Sequence, residues 1–486
     1  MTTDPSVRRL VDGVLVPGFD GTAPPEWLRR AIDGGLGGVC WFAQNVPDLD
    51  TARALADQLH GQRDDLLVLS DEEGGGVTRL EAATGSSWPG NAALGVVDDL
   101  AATEAVGAGI GALARRAGVD VVLSPAVDVN SEPDNPVIGV RSFGAAPDLV
   151  ARHGAAFVRG VQSAGVGACA KHFPGHGATR TDSHVGLPTV EVDLETVRGR
   201  DLVPFVSAIE AGVRCVLTAH VIYPALDDQP ATMSEAWMSL LREALAFDGV
   251  IVTDALDMHA ISRRVGRGPG AVAAMRAGVD LLCIGNPTYP EPYDVEAVLD
   301  EVRAALVDAV AAGELPVERL ESATDRTAAL ATWPEPAPTA STGTPREATG
   351  LEVARRAIRA VGVERLRTAP CVIVERRTDL TSGIRRSWVV TELIARDPGT
   401  VAFDAESPSD LADARKAWDD RPVVVVTDGL SGVTLRQAVR AERPDAVVVH
   451  TGPAGTGDAA APMVRSFGAG RVNATAVAEL LLGELS

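Results

Sequence analysis

The sequence predicts an α/β protein with an N-terminal (β/α)8 TIM barrel followed by a smaller three-layer α/β sandwich domain. Two regular alternations of apolar runs and amphipathic stretches, separated by a Pro/Thr/Ser-rich segment, lead to this fold class. We expect the barrel to occupy residues 1–332, a linker residues 333–348 and the sandwich domain residues 349–486.

The first alternation contains eight apolar runs that are too short for helices and rich in Val, Ile, Leu and Cys, which is typical of strands buried on both faces. These runs are Gly13–Val16, Gly38–Phe42, Leu66–Ser70, Val119–Ser124, Gly167–Ala170, Cys215–Ala219, Val250–Thr253 and Asp280–Ile284. Predicted helices between and after them are Pro25–Ile32, Thr51–Leu59, Thr103–Arg116, Pro147–Ser163, Leu194–Ala211 and Val295–Ala311. An open doubly wound sheet could show the same alternation, but eight strands suit closure and no Gly-x-Gly-x-x-Gly turn follows the first strand.

The segment Trp333–Pro345 has no hydrophobic periodicity, which is typical of an extended linker. After it, a shorter alternation predicts a small α/β domain. Its expected strands are Cys371–Glu375, Val401–Phe403, Pro422–Thr427 and Ala446–His450, and its expected helices are Leu351–Ala360, Pro408–Trp418, Val433–Ala441 and Ala474–Leu482.

Composition limits the possible partners. The chain has 486 residues and a formal net charge of −22, which argues against nucleic acids and anionic membrane surfaces. No apolar run approaches the roughly 20 residues of a membrane span, and the N-terminus lacks a signal-like apolar stretch. The five cysteines contain no Cys-x-x-Cys pair and fit reduced, buried thiols. We expect a cytoplasmic protein with a small-molecule substrate and no cofactor; the sequence does not indicate its oligomeric state.

Polar residues follow the predicted strands at their carboxyl ends. In a barrel these positions converge on one face, where active sites are built from the loops after the strands. The residues are Asp20, Asn45, Asp71, Asp128, Lys171, His172, His220 and Asp254.

The stretch Lys171–Pro188, KHFPGHGATRTDSHVGLP, concentrates proton-handling side chains on a Gly-rich loop. Among 44 basic residues only Lys171 and Lys416 are lysines, which indicates a need for a compact ammonium at position 171. Asp182 precedes His184 by two residues, so its carboxylate can orient the imidazole, and the pair is a candidate general acid/base. Metal binding by the histidines is a competing interpretation, but Phe173-Pro174-Gly175 rules out a helical i, i+4 pair of ligands.

Carboxylates and arginines after other strands complete the candidate site. Asp254 ends the predicted seventh strand, where a carboxylate is either a nucleophile or a paired structural group; Asp257 is a weaker candidate. Asp71 ends the third strand, and Arg79 and Arg141 follow it in the chain. This mixture of acids and bases suits a neutral ligand rich in hydroxyl groups.

These motifs resemble family 3 glycoside hydrolases, in particular the β-N-acetylglucosaminidase (β-N-acetylhexosaminidase) branch. KHFPGHG followed by DSH is the branch signature, and DEEGGGVTRL, SPAVDVN, NPVIGVRSFG and VTDALDM agree in order and spacing. The resemblance covers residues 10–330, and Glu72 stands where the family commonly has Gln, a departure expected to matter little for sugar binding.

The resemblance implies a retaining exo-β-N-acetylglucosaminidase acting in cell-wall fragment or amino-sugar catabolism. Asp254 would be the nucleophile and His184 the acid/base held by Asp182. The sugar would be bound by Asp71, Arg79, Arg141, Lys171 and His172.

Three other functions stay open on the sequence. A glycoside phosphorylase would use phosphate in place of water, and a neutral imidazole would tolerate that anion. A sugar-binding module would have lost Asp254, Asp182 or His184, and all three are present. A β-glucosidase is possible for the family broadly, but such members typically lack the DSH element.

Overall fold

The computed structural model describes residues 4–183, 186–288, 291–333, 347–375, 387–427, 433–453 and 462–484. His184 and residues 334–346 of the predicted linker therefore lie outside the described residues. The limits of the three predicted segments stay a prediction.

Eight parallel strands form a closed ring in chain order. They are β1 (Leu15–Pro17), β2 (Gly38–Trp41), β3 (Leu67–Ser70), β4 (Val121–Val122), β5 (Gly167–Phe173), β6 (Cys215–Thr218), β9 (Val250–Thr253) and β10 (Leu282–Gly285). The strands β2, β3, β4, β5, β6 and β9 form one parallel sheet in that order. β10 pairs with β1, and a bridge between Val252 and Leu281 joins β9 to β10. The intervening strands β7 (Ile222–Tyr223) and β8 (Asp227–Pro230) form a separate antiparallel hairpin. The predicted barrel is confirmed.

Helices surround this ring. They are α1 (Pro5–Asp12), α2 (Glu26–Gly34), α3 (Leu49–Gln62), α4 (Asn91–Val97), α5 (Leu100–Ala117), α6 (Pro147–Ser163), α7 (Leu194–Thr196), α8 (Val203–Glu210), α9 (Glu235–Ser239), α10 (His259–Ser262), α11 (Arg267–Ala277), α12 (Val295–Ala311) and α13 (Val317–Ala331). The inward-facing strand side chains, among them Leu69, Leu217 and Val252, fill the ring as a packed core. Cys40, Cys169, Cys215 and Cys283 belong to this core as free thiols, as the sequence predicts.

The structure changes some predicted bounds. The predicted helix Leu194–Ala211 is divided by a π-helical turn at Val197–Asp201. The second piece begins at Val203 and has Pro204 in its first turn, where the proline ring is tolerated. β4 is shorter than predicted, whereas β5 extends to Phe173, so Lys171 and His172 lie within the strand and not after it.

The second α/β unit has a six-stranded sheet covered by helices on both faces. Its strands, in the order β11-β16-β15-β14-β12-β13, are β11 (Arg359–Val361), β16 (Met463–Arg465), β15 (Val447–His450), β14 (Val423–Thr427), β12 (Cys371–Glu375) and β13 (Val401–Ala405), all parallel except β11. Its helices are α14 (Glu347–Ala357), α15 (Trp388–Arg396), α16 (Ala412–Ala417), α17 (Val433–Glu442) and α18 (Arg471–Leu482). Two apolar clusters lie on opposite faces of the sheet, which confirms the three-layer prediction.

The second unit packs against the barrel through α14, which contacts α4 and α5. Arg356 near the end of α14 forms an ion pair of 2.9 Å with Asp99, the N-cap residue of α5. Among the described residues, no helix is both long and apolar enough to cross a membrane.

Candidate active site

The candidate site residues lie at the carboxyl ends of the barrel strands, where the loops are held by buried polar side chains. Asn45 after β2 is fully buried, and its amide donates to the carbonyls of Phe19 and Gly21. His220 after β6 is also fully buried, with Nε2 3.0 Å from the carbonyl of Ala255. These two residues, which the sequence placed on the site face, thus brace its loops, whereas Asp20 is exposed.

Lys171 stands at the centre of an ion-pair network. Its Nζ lies 2.7 Å from Asp71 Oδ1 and 2.6 Å from Glu73 Oε1, and its side chain is 3% exposed. Arg141, in a 3₁₀ turn at Gly139–Arg141, donates from Nε and Nη2 to both oxygens of Glu73, at 2.9 and 2.8 Å. The Lys171 ammonium therefore forms ion pairs with two carboxylates from one loop. The planar guanidinium of Arg141 binds one of them, Glu73, with two hydrogen bonds.

This network keeps its groups charged although they are buried. Burial raises the pKa of the Asp71 carboxyl, but the charges of Lys171 and Arg79 outweigh it and hold that pKa well below its ordinary value. Against the same burial, Arg141 and Lys171 lower the pKa of Glu73 to about 2. Asp71, Glu73, Lys171 and Arg141 thus stay charged together, so ordered, charged donors and acceptors are available to a polar ligand.

Arg79 also belongs to the ion-pair network, through Asp71. Its Nη2 donates to Asp71 Oδ2 at 3.1 Å, and its guanidinium carbon lies 5.9 Å from the ring centre of Phe42. Its Nε is buried and has no hydrogen-bond partner among the described residues. A buried donor without a partner is unfavourable, so a ligand acceptor placed beside this nitrogen would be stabilising.

His172 uses both ring nitrogens inside the protein. Nδ1 lies 2.8 Å from Asp128 Oδ2, and Nε2 lies 3.2 Å from Arg141 Nη2. Because arginine can only donate, Nε2 must accept, and the proton stands on Nδ1 facing the carboxylate. His172 therefore orients Arg141 in this structure, and its predicted direct contact with a sugar stays a prediction.

His176 anchors the loop that carries Asp182. Its Nδ1 lies 2.7 Å from Thr179 Oγ1 and its Nε2 lies 3.0 Å from Ser183 Oγ. Burial lowers its pKa to about 4, so the ring is neutral near pH 7. Asp128 accepts the backbone N–H of His176 at 2.6 Å and so holds the start of the same loop.

Asp254 and Asp182 come from two different loops of this region, after β9 and after β5. Asp254 follows β9, and its backbone N–H donates to the carbonyl of Thr218 on β6. Its negative charge reaches His176, whose pKa it pushes upward against the larger effect of burial. Asp182 is 9% exposed and precedes Ser183, the residue that His176 binds. His184, which follows Ser183, lies outside the described residues, and its pairing with Asp182 stays a prediction.

Among the histidines that the structure describes, the geometry does not support a metal centre. His172 and His176 have ring centres 6.1 Å apart, and each directs both nitrogens to protein groups. In the part of the chain that the structure describes, no group of three or more His, Cys, Asp or Glu residues could hold a metal ion.

Residues 24–330 match the family model described as the glycosyl hydrolase family 3 N-terminal domain. The chain belongs to glycosyl hydrolase family 3. The resemblance seen in the sequence is thereby confirmed, and so is the prediction of a glycoside hydrolase at the level of the family.

Relatives of this family 3 chain carry hexosaminidase names. A β-hexosaminidase A from Pseudoalteromonas piscicida is 37% identical over 339 residues, which are 64% of this chain but only 56% of that relative. A solved family 3 β-N-acetylglucosaminidase from Paenibacillus sp. str. FPU-7 is 30% identical with a TM-score of 0.84, covering 99% of this chain and 97% of that one. A β-N-acetylhexosaminidase from Beutenbergia cavernae is 27% identical with a TM-score of 0.59, covering 68% of this chain and 100% of its own.

Glu72, the departure from the common family residue, points away from the ion-pair network. Its Oε1 accepts the backbone N–H groups of Arg79 and Leu80 at 2.6 and 2.7 Å, and its Oε2 accepts the Thr78 hydroxyl at 2.7 Å. It therefore braces the turn that presents Arg79. Burial raises the pKa of this carboxyl from 4.5 to about 7.

Replacing Glu72 with Gln is expected to stabilise this family 3 chain at alkaline pH only. Because the folded-state pKa is raised, the folded state keeps a proton that the unfolded state releases, so this contribution is full below about pH 4.5 and is lost as pH rises through about 7. The amide oxygen would accept the backbone N–H groups of Arg79 and Leu80 as Oε1 does, and the amide NH2 would donate to the Thr78 hydroxyl oxygen instead of accepting from it. Loss of the buried charge is then a gain on the order of 2–3 kcal/mol at pH 8. Thermal unfolding at pH 5 and pH 8 measures it, with Glu210→Gln on the exposed end of α8 as control. An equal shift at both pH values would contradict it.

Glu73 and His176 were not predicted as site residues, and Asp128 was predicted only to lie on the site face. Glu73 lies in the quoted DEEGGG motif, His176 in KHFPGHG and Asp128 in SPAVDVN, so a signal was present for each. Their roles follow from side-chain direction, which the motifs do not specify.

Proposed function

We propose that this chain is a retaining exo-β-N-acetylglucosaminidase that cleaves a terminal β-linked N-acetylglucosamine. One observation carries the proposal: Asp254 follows β9, and its charge acts on His176, which binds Ser183 next to Asp182. The Asp71–Lys171–Glu73–Arg141 network lies at the same carboxyl ends of the barrel strands. The names of the hexosaminidase relatives support the choice of sugar.

In the first step Asp254 attacks the anomeric carbon and displaces the aglycone oxygen, forming a covalent glycosyl-enzyme. His184, as an imidazolium stabilised by the Asp182 carboxylate, gives its proton to the departing oxygen. In the second step neutral His184 takes a proton from water, and the resulting hydroxyl attacks the anomeric carbon. The bond to Asp254 breaks, and the sugar leaves with its original β configuration.

In this proposal the residues of the ion-pair network bind the sugar. Each carboxylate oxygen of Asp71 already meets a cation, which leaves its remaining lone pairs for sugar hydroxyls. The buried Nε of Arg79 is a donor for a hydroxyl or an N-acetyl oxygen. Arg141 and Lys171 hold the geometry of the carboxylates, so specificity would come from a fixed set of charged groups.

The experiment that tests this function is product analysis on a β-linked N-acetylglucosaminyl disaccharide, with and without inorganic phosphate. Free N-acetylglucosamine, released first as the β anomer and at a rate independent of phosphate, is the expected result. A sugar 1-phosphate would identify a phosphorylase, and binding without turnover would identify a sugar-binding module. For the cell we propose a cytoplasmic role in breaking down wall-derived fragments or amino sugars.

A further inference from the structure

The loop after β3 carries Asp71 and Glu73, and the second α/β unit presses on the back of this loop. The main contact joins two glycines. A Cβ placed on Gly470 would lie 2.6 Å from the carbonyl oxygen of Gly75 and 2.7 Å from its Cα, closer than real Cβ atoms approach backbone. Gly470 has φ −65° and ψ 162°, which any residue adopts, so only the close approach requires glycine there.

Two further contacts tie the same loop to the second unit. Arg471, next to Gly470, donates from Nη1 to the carbonyl of Thr84 at 3.1 Å and from Nε to Glu392 of α15 at 2.9 Å. A Cβ on Gly350 of α14 would lie 2.1 Å from the carbonyl oxygen of Ser87. The loop is thus touched by α14 and the start of α18, so its outer side is fixed at several points.

A short series of hydrogen bonds connects Gly75 to the residues that are proposed to bind the sugar. Gly75 lies in a turn in which Val77 N–H donates to Gly74 at 3.1 Å and Glu73 N–H donates to Val77 at 2.9 Å. Gly75 N–H itself donates to the carbonyl of Trp88 at 2.7 Å. Glu73, at the start of the turn, holds Lys171 and Arg141 through its two carboxylate oxygens. A displacement of Gly75 therefore moves the acid that fixes both cations.

We propose that the second unit is a positioning element for the sugar-binding network, and that Gly470 is the residue through which it acts. Gly470 would contribute no side chain to the reacting atoms. It would keep the 73–77 turn in the position at which Glu73 binds Lys171 and Arg141. The expected effect on catalysis rests on the proposed function, whereas the effect on the turn does not.

The test is Gly470→Ala in the full-length chain. We expect kcat/KM for aryl β-N-acetylglucosaminides to fall by about tenfold or more, mainly through a raised KM, because the network grips the sugar in ground and transition states alike. The loss should be equal for good and poor leaving groups, since the acid/base is untouched. Hydrogen exchange should speed up at the amides of Glu73, Gly75 and Val77, whose hydrogen bonds close the turn.

The matched control is Gly399→Ala, before the opposite edge strand β13. Its Cβ would meet another close neighbour, Ala369 Cβ at 2.9 Å, but not the barrel loop. Its kcat/KM should stay within about twofold of the parent. Arg471→Met, which keeps the stem and loses the bond to Thr84, should speed exchange at the 73–77 turn less than Gly470→Ala does.

Several results would overturn the inference. These are a folded Gly470→Ala protein with unchanged exchange at the turn, or an equal loss in Gly399→Ala. If Gly470→Ala does not fold, unchanged exchange in folded Arg471→Met overturns it. If the parent chain turns over no N-acetylglucosaminide, the proposed function fails, and the exchange measurement still decides the role of Gly470.

Discussion

Asp254→Ala is expected to lose turnover of an aryl β-N-acetylglucosaminide by on the order of 10⁴-fold or more, because no other group can form the glycosyl-enzyme. The protein should stay folded, since the backbone N–H of residue 254 still donates to Thr218 on the neighbouring strand. Steady-state kinetics and thermal unfolding measure the two effects. Asp20→Ala, at an exposed position after β1, is the control and should keep its activity.

Adding azide to the Asp254→Ala variant distinguishes the loss of a nucleophile from the loss of another essential residue. Alanine at position 254 leaves space beside the anomeric carbon, so azide should enter from that side and give the α-glycosyl azide. A β product, or activity close to that of the parent, would show that Asp254 is not the nucleophile.

Replacing His184 with Ala is expected to slow hydrolysis by about 10²- to 10⁴-fold for poor leaving groups, which need a proton, and far less for a nitrophenolate. Measuring kcat/KM across aryl leaving groups of different pKa tests this. His259→Ala on α10 is the matched control, and Asp182→Asn should show the same trend with a smaller loss. Here azide should attack the glycosyl-enzyme and give the β-glycosyl azide. Equal losses for good and poor leaving groups would show that the acid/base lies elsewhere.

Much of this architecture could be predicted because it follows from hydrophobic periodicity. Short runs of Val, Ile, Leu and Cys predict strands buried on both faces, and the ring of parallel strands confirms them. The break at Val197–Asp201 could not be predicted, since the apolar pattern runs through it and a single Pro204 is compatible with a helix start. The β7–β8 hairpin was missed because DDQP offers no alternation of apolar and polar residues.

The site was predictable in its members and not in its contacts. Asp71, Lys171 and Arg141 lie far apart in the chain, and their network depends on strand order and loop direction together. Glu73 shows what the motif leaves undetermined, because nothing in DEEGGG distinguishes it from Glu72. In the structure Glu73 forms an ion pair with Lys171, whereas Glu72 accepts a hydrogen bond from Thr78.

The scarcity of lysine has a practical consequence. Lys171 is almost completely enclosed between Asp71 and Glu73, whereas the other lysine, Lys416, has a side chain that is 77% exposed on α16 of the second unit. An acylating reagent therefore meets one accessible lysine, remote in sequence from every residue of the candidate site. Coupling through that amine would attach a fluorophore, or a solid support, at one defined lysine on a helix outside the barrel.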